Sequence, residues 1–173
     1  MLSPYFVIVG TLIGAVGSIA YLIATFKGEV KPNRVSFLLW GIAPLIAFAA
    51  MKEKGVGLES LMTLSVGVFP LLIFFASFFN KKAEWKLSRF DVLCGLLSVL
   101  GLILWRLTRE GNVAIVFSIV ADGLAAVPTV VKAYKYPETE VAWPWIMTSI
   151  GVVITLLTLT QITLANSAFN IYI

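Results

Sequence analysis

From Tyr5 to Phe26 the chain reads YFVIVGTLIGAVGSIAYLIATF, 22 residues without a charge. A bilayer's hydrocarbon core of about 30 Å is crossed by about 20 apolar residues in α-helix, so this stretch predicts a membrane span. No basic cluster precedes it, and it is too long for the apolar core of a signal peptide, so it reads as a retained helix. The pattern recurs down the chain. Uncharged runs predict further spans at Val35–Met51, Ser60–Phe79 and Asn112–Val131, and a mostly apolar stretch predicts another at Ser88–Trp105, with polar loops between them. The fourth carries Asp91 in its first turn and is the weakest. From Val141 to Ile173 there are 33 residues without a charge, too many for one span, so the run divides near Gln161–Asn166 into a sixth helix and the start of a seventh.

Composition agrees with these runs. Of 173 residues, 60% are hydrophobic and only 13% charged, and the mean hydropathy is +0.97. Soluble domains run nearer 45–50% apolar and about 25% charged. A chain this short exposes much of its surface and cannot hide that much apolar area inside itself, so the excess is expected to face lipid. The class implied is an all-α integral membrane protein. There is no histidine, which removes imidazole bases and the usual zinc sites, and the single Cys94 has no partner for an internal disulfide. Phosphate-binding glycine loops, HExxH and GxSxG are all missing, so no enzyme, cofactor or metal is expected. The net charge of +4 sits in short clusters between apolar runs, which speaks for membrane topology and against nucleic acid.

Those clusters orient the chain. Nine of the thirteen Lys and Arg residues fall in the first, third and fifth loops, and four (Lys52, Lys54, Arg106, Arg109) on the other side. Basic loops stay cytoplasmic, which predicts a multi-pass protein of the cell's inner (plasma) membrane with its N-terminus outside.

A shift of 105 residues superposes Lys27 on Lys132, Pro32 on Pro137, Trp40 on Trp145 and Ala20 on Ala125. Both copies read K-x4-P-x7-W, from the end of one helix through a loop into the next. The first and fifth helices then correspond, as do the second and sixth, and the fourth is unmatched. An odd connector keeps two such units parallel. The expected plan is two parallel three-helix bundle repeats joined by a linker helix (3+1+3): 1–82 the first unit, 83–110 the linker, 111–173 the second unit. The shift maps Ser60–Phe79 onto 165–184, beyond Ile173. The seventh helix is therefore expected short or truncated, and truncation is the favoured reading.

Asp122 is the only ionisable residue in Val113–Val131, about 15 Å along the helix from Asn112 and so near mid-bilayer. A carboxylate there costs on the order of 2.5–3.5 kcal/mol, so it should face a cavity or a partner. It reads either as a proton-coupling or substrate-binding carboxylate, or as a protonated acid bonding a neighbouring helix. Ser118 and Thr129 extend one polar stripe with it. Trp40 and Trp145, a few residues inside their helices, are either headgroup-belt residues or paired rings flanking a path, where an indole face suits sugars, nucleosides or cations. Trp85, Trp105 and Trp143 read as belt residues. Gly10, Gly14, Gly17 and Ser18 form a small-residue packing face. Asn33 and Arg34 cap and anchor a loop, and the cytoplasmic lysines read as a topology signal only. Pro128 removes a backbone donor within a helix and is a candidate hinge.

The second copy of the repeat, Ala126-Val127-Pro128-Thr129-Val130-Val131-Lys132, then Pro137-Glu138-Thr139-Glu140 and Pro144-Trp145, resembles the PQ-loop superfamily and its SWEET sugar transporters. There a Pro-Thr or Pro-Gln pair, basic residues, a short polar turn and a Pro-Tyr pair follow in that order. Lys31-Pro32-Asn33-Arg34 through Trp40 looks like a loop common in small bacterial relatives. The resemblance covers nearly the whole chain by topology and about 45 residues by motif. It implies the 3+1+3 plan and a transporter working by alternating access. It also implies proline hinges at Pro128 and Pro144; the shift finds Ile23 and Leu39 opposite them, with Pro44 and Pro70 as substitutes. The family's sugar-binding asparagine of the third helix has no counterpart in Ser60–Phe79. In the seventh helix Asn166 or Asn170 could fill that role, with Asn170 opposite Ser65. The similar fold of nicotinamide riboside transporters keeps vitamins and nucleosides open beside sugars and amino acids.

The expected function is thus transport of a small polar, sugar-like solute, with Asp122 as the point of any proton linkage. The alternatives are a non-transporting membrane receptor or a structural subunit of the same fold. Expected partners are the lipid bilayer and the solute; homo-oligomerisation stays open.

Overall fold

The computed structural model describes residues 2–108 and 110–173, without the side chains of 101, 104–106 and 108. Trp105, Arg106 and Arg109, read above as belt and topology residues, lie outside the described side chains. The described residues are all-helical, with no strand. Seven α-helices follow in order: α1 Phe6–Lys27, α2 Arg34–Glu53, α3 Ser60–Ala76, α4 Arg89–Thr108, α5 Gly111–Lys135, α6 Trp143–Leu156 and α7 Leu164–Tyr172. Single 3-10 turns at Lys81–Ala83 and Pro137–Thr139 break two of the loops.

Local chemistry sets the boundaries. Helix α1 stops at Gly28, whose φ of 74° is easy for glycine, and the N–H groups of Gly28 and Glu29 reach back to the Thr25 and Ala24 carbonyls at 3.0 and 2.9 Å. Asn33 then caps α2, its Oδ1 accepting from Val35 N at 3.1 Å and Ser36 N at 3.4 Å. Ser88 and Asp91 bond each other's backbone N–H groups, which starts α4 and accounts for the acid in its first turn. Thr163 and Asn166 form the same reciprocal cap on α7.

Helix α3 ends at Ala76 rather than Phe79. The Arg34 guanidinium takes the Ser77 carbonyl at 2.8 Å and the Ser77 hydroxyl at 3.0 Å, and its carbon lies 4.1 Å from the centre of the Phe78 ring. That interaction anchors the loop, and Phe79 is left pointing outward.

Among the described residues, three helices, α1, α2 and α5, are long and apolar enough to cross a membrane. Helices α3 and α6 are apolar but shorter, at 17 and 14 residues, and α7 has nine. Large apolar side chains stand outward on α1, α4 and α6: Leu12 is 60% exposed, Leu96 63% and Val153 54%. A water-soluble bundle does not present such continuous stripes, whereas a lipid-facing one does.

Helix α1 packs most extensively on α6 and then on α3, while α2 sits against α3 and α5. Helix α5 also carries α4 and the short α7. The α1–α6 contact is a backbone contact: a Cβ placed on Gly10 would stand 2.5 Å from the Gly151 carbonyl oxygen, and one on Gly17 would stand 2.8 Å from Met147 Cβ. The expected small-residue face of α1 is therefore a helix-packing face. Two apolar clusters fill the interior. One gathers Tyr21, Phe37, Leu39, Trp40 and Ile73 near the α1–α2 loop, and the other gathers Met51, Val56 and Ile115 near the opposite end.

Candidate functional site

Asp122 sits midway along α5 and is 6% exposed. Its Oδ2 accepts from the Tyr172 hydroxyl at 2.9 Å, while its Oδ1 has no partner among the described residues. Its backbone carbonyl, which the helix leaves with a spare lone pair, accepts from the Trp40 indole Nε1 at 3.2 Å. One residue thus ties α5 to α2 through its backbone and to α7 through its side chain.

Beside it lies a cavity of about 370 Å³. Helices α1, α2, α3, α5, α6 and α7 all contribute to its wall, and Asp122, Trp40 and Trp145 line it together. The two indoles meet edge to face, with ring centres 5.4 Å apart and planes at 70°. The aromatic run continues from Trp40 to Phe37 at 5.2 Å, from Phe37 to Tyr21 at 5.2 Å and from Tyr21 to Trp145 at 6.2 Å. Four rings from α1, α2 and α6 therefore form a closed circuit beside the cavity, and Asp122 joins Trp40 and Trp145 in its wall. Trp40, 9% exposed, is a buried residue and not a headgroup-belt one, because its N–H finds an acceptor inside the bundle.

The other candidates fall elsewhere. Ser118 and Thr129 are buried with unpartnered hydroxyls, but they are not on the cavity wall. Ser65 is half-buried and also off the wall. Asn170 is 1% exposed and donates to the Asn166 carbonyl at 3.3 Å, and it too misses the cavity. The Asn166 side chain is used in the α7 cap, bonding Thr163 N and the Gln161 carbonyl. Pro44, Pro70 and Pro128 lie inside helices α2, α3 and α5. Pro144 occupies the first turn of α6, where an absent N–H breaks no helical bond, and it lines the cavity.

Three features went unread in the sequence. Tyr172 supplies the donor to Asp122 from 50 residues away, and no local spacing announces it. Lys132, assigned above to topology alone, is 2% exposed and forms an ion pair with Glu140 whose side chains are 1% and 7% exposed. Its ammonium also donates to the Lys31 carbonyl, and Glu140 accepts from the Tyr21 hydroxyl at 2.8 Å. The correction has a physical reason: an ammonium can leave water when a carboxylate and a carbonyl surround it. Trp85, read above as a belt residue, is half-buried, with its ring centre 5.3 Å from Lys132 Nζ and 5.5 Å from the Tyr136 ring centre. The signal available beforehand was an unsatisfied charge pair, with Lys132 in the last turn of α5 and Glu140 just ahead of α6.

No protein-family model matches the chain, and neither a curated protein nor a solved structure matches it.

Proposed function

We propose that this chain is a multi-pass membrane carrier that moves a small polar solute by alternating access. Two three-helix units, 1–82 and 111–173, rock against each other, with α4 as the connector. The observation that carries the reading is the cavity itself, where two tryptophans at equivalent places of the 105-residue repeat meet beside a buried carboxylate with a free oxygen. Residues related by a two-fold axis touch each other only near that axis, which is where a carrier with two halves holds its solute.

The packing supports the same plan. Under the repeat, α1 and α5 are equivalent, as are α2 and α6 and α3 and α7. Helix α1 packs on α6 just as α5 packs on α2, and α3 touches α1 and α2 as α7 touches α5 and α6. The equivalent loops also meet, Lys31 N donating to the Thr139 carbonyl at 3.0 Å. Thr11, Thr63 and Ser118, in the N-terminal halves of helices α1, α3 and α5, carry buried hydroxyls without partners among the described residues. In this reading the N-terminus faces outward across the plasma membrane and the Lys31 and Lys132 loops face the cytoplasm.

The test is flux into proteoliposomes. Asp122→Asn and Trp145→Ala should each abolish transport while the purified proteins still melt cooperatively. Wild-type rates in both variants would refute the site.

A further inference from the structure

The cavity's hydrogen-bonding balance says which solute class it fits. Five of the seven side-chain donors on its wall are already donated. Ser18 Oγ donates to the Gly14 carbonyl at 3.0 Å, and Ser149 Oγ to the Trp145 carbonyl at 2.9 Å. Tyr21 donates to Glu140, Tyr172 to Asp122 Oδ2, and the Trp40 indole to the Asp122 carbonyl. Among the described residues, only the Thr148 hydroxyl and the Trp145 indole N–H remain. What the wall still offers is acceptors and π faces, with Asp122 foremost among them, its buried Oδ1 unpartnered among the described residues. No Lys or Arg is among its lining residues, and the nearby Lys132 charge is neutralised by Glu140.

We infer that the cavity binds an organic cation, an amine or quaternary ammonium without a carboxylate of its own, held against the indoles of Trp40 and Trp145 and paired with the Asp122 carboxylate. This rests on the carrier reading above and names its substrate class. An aromatic box attracts a cation through the negative faces of its rings, and the attraction strengthens where water is excluded. A buried carboxylate with one side-chain donor and no counter-charge among the described residues is costly, and a bound cation supplies that charge. A carboxylate-bearing solute would meet Asp122 with nothing to neutralise it. A sugar's hydroxyls could donate to the wall, but their oxygens would find only two wall donors left, and an uncharged solute leaves the Asp122 charge unmatched.

The experiment is binding to the detergent-purified full chain, read by thermal shift and calorimetry with two matched pairs of probes: choline beside its uncharged isostere 3,3-dimethyl-1-butanol, and phenethylamine beside 2-phenylethanol. At least one cation should bind at least tenfold more tightly than its neutral partner. Asp122→Asn should erase that preference, Asp122→Glu should restore it, and Trp145→Ala should weaken both cations at least threefold. Equal affinity for cation and isostere, no binding of either cation at millimolar concentration, or an unchanged preference in a cooperatively melting Asp122→Asn would each overturn the assignment. The wild-type comparison needs no variant, so a misfolding mutant does not blunt it. Flux in proteoliposomes separates this proposal from the one it rests on. Cation binding with the stated preference but without flux upholds the site and refutes the carrier, whereas flux of an uncharged sugar without cation binding refutes the cation assignment.

Discussion

Replacing Lys132 with methionine keeps most of the side chain's length and removes its charge from a place water hardly reaches. The partners left behind define the penalty. Glu140, 7% exposed on its side chain, loses its counter-ion and keeps only the Tyr21 hydroxyl at 2.8 Å, while the Lys31 carbonyl loses its ammonium donor. Removing one member of a buried ion pair destabilises by about 3–5 kcal/mol, because the other charge stays desolvated and unmatched. In a chain of this size each kcal/mol moves the melting temperature by about 2–4 °C, so the drop expected is roughly 6–20 °C. Removing both charges together is different. Lys132→Met with Glu140→Gln leaves no bare ion, and a buried pair replaced by uncharged groups of similar shape is often neutral. The double variant should therefore recover most of the loss, a coupling of about 2 kcal/mol or more between the positions. The assay is a double-mutant cycle by equilibrium unfolding in mixed micelles at fixed lipid-to-detergent ratio. A single variant within about 1 kcal/mol of wild type, or a double variant that merely sums the two losses, would refute the reasoning.

Other outcomes follow from particular contacts. Gly10→Ala should destabilise by about 1–3 kcal/mol because its methyl would stand 2.5 Å from the Gly151 carbonyl oxygen, whereas Gly123→Ala, whose nearest neighbour would be the Tyr172 hydroxyl at 3.6 Å, should be neutral or mildly stabilising. Equal effects of the two alanines on unfolding would show that the α1–α6 approach is not the cause. Arg34→Ala should lose about 1–3 kcal/mol with its two Ser77 bonds and its contact with Phe78, while Lys27→Ala, whose pair with Glu29 is exposed at 3.9 Å, should change unfolding by less than about 0.5 kcal/mol. Tyr172→Phe takes from Asp122 its one side-chain donor among the described residues and should reduce stability by about 1–3 kcal/mol in the same assay; an unchanged midpoint would mean that bond contributes nothing.

The helices were legible for simple reasons. Charges are excluded from apolar helix faces, so uncharged runs and their polar ends located α1 to α5 within a few residues, and the split of Val141–Ile173 located α6 and α7. Where the reading missed, a long-range partner had intervened: α3 stops at Ala76 because Arg34, some forty residues earlier, takes the Ser77 carbonyl. The site divides the same way. Asp122 announced itself as a lone acid in an apolar run, and Trp40 and Trp145 as tryptophans superposed by a shift of 105 residues. Tyr172, Tyr21 and the Lys132–Glu140 pair did not, because each is defined by a partner on another element.

Composition and pattern by themselves determined that this chain is all-helical, with long apolar helices that match a bilayer, and that an acid and two indoles stand out from the apolar background. Those are properties of single segments, set by transfer free energy and helix geometry residue by residue. Only the tertiary structure decided that the acid and the indoles share one cavity, that five of the seven side-chain donors on its wall are already donated, and that a lysine which looked like a surface charge is buried against Glu140. Such facts depend on which side chains meet after residues 50 to 119 positions apart are brought into contact, and no local pattern encodes the pairing.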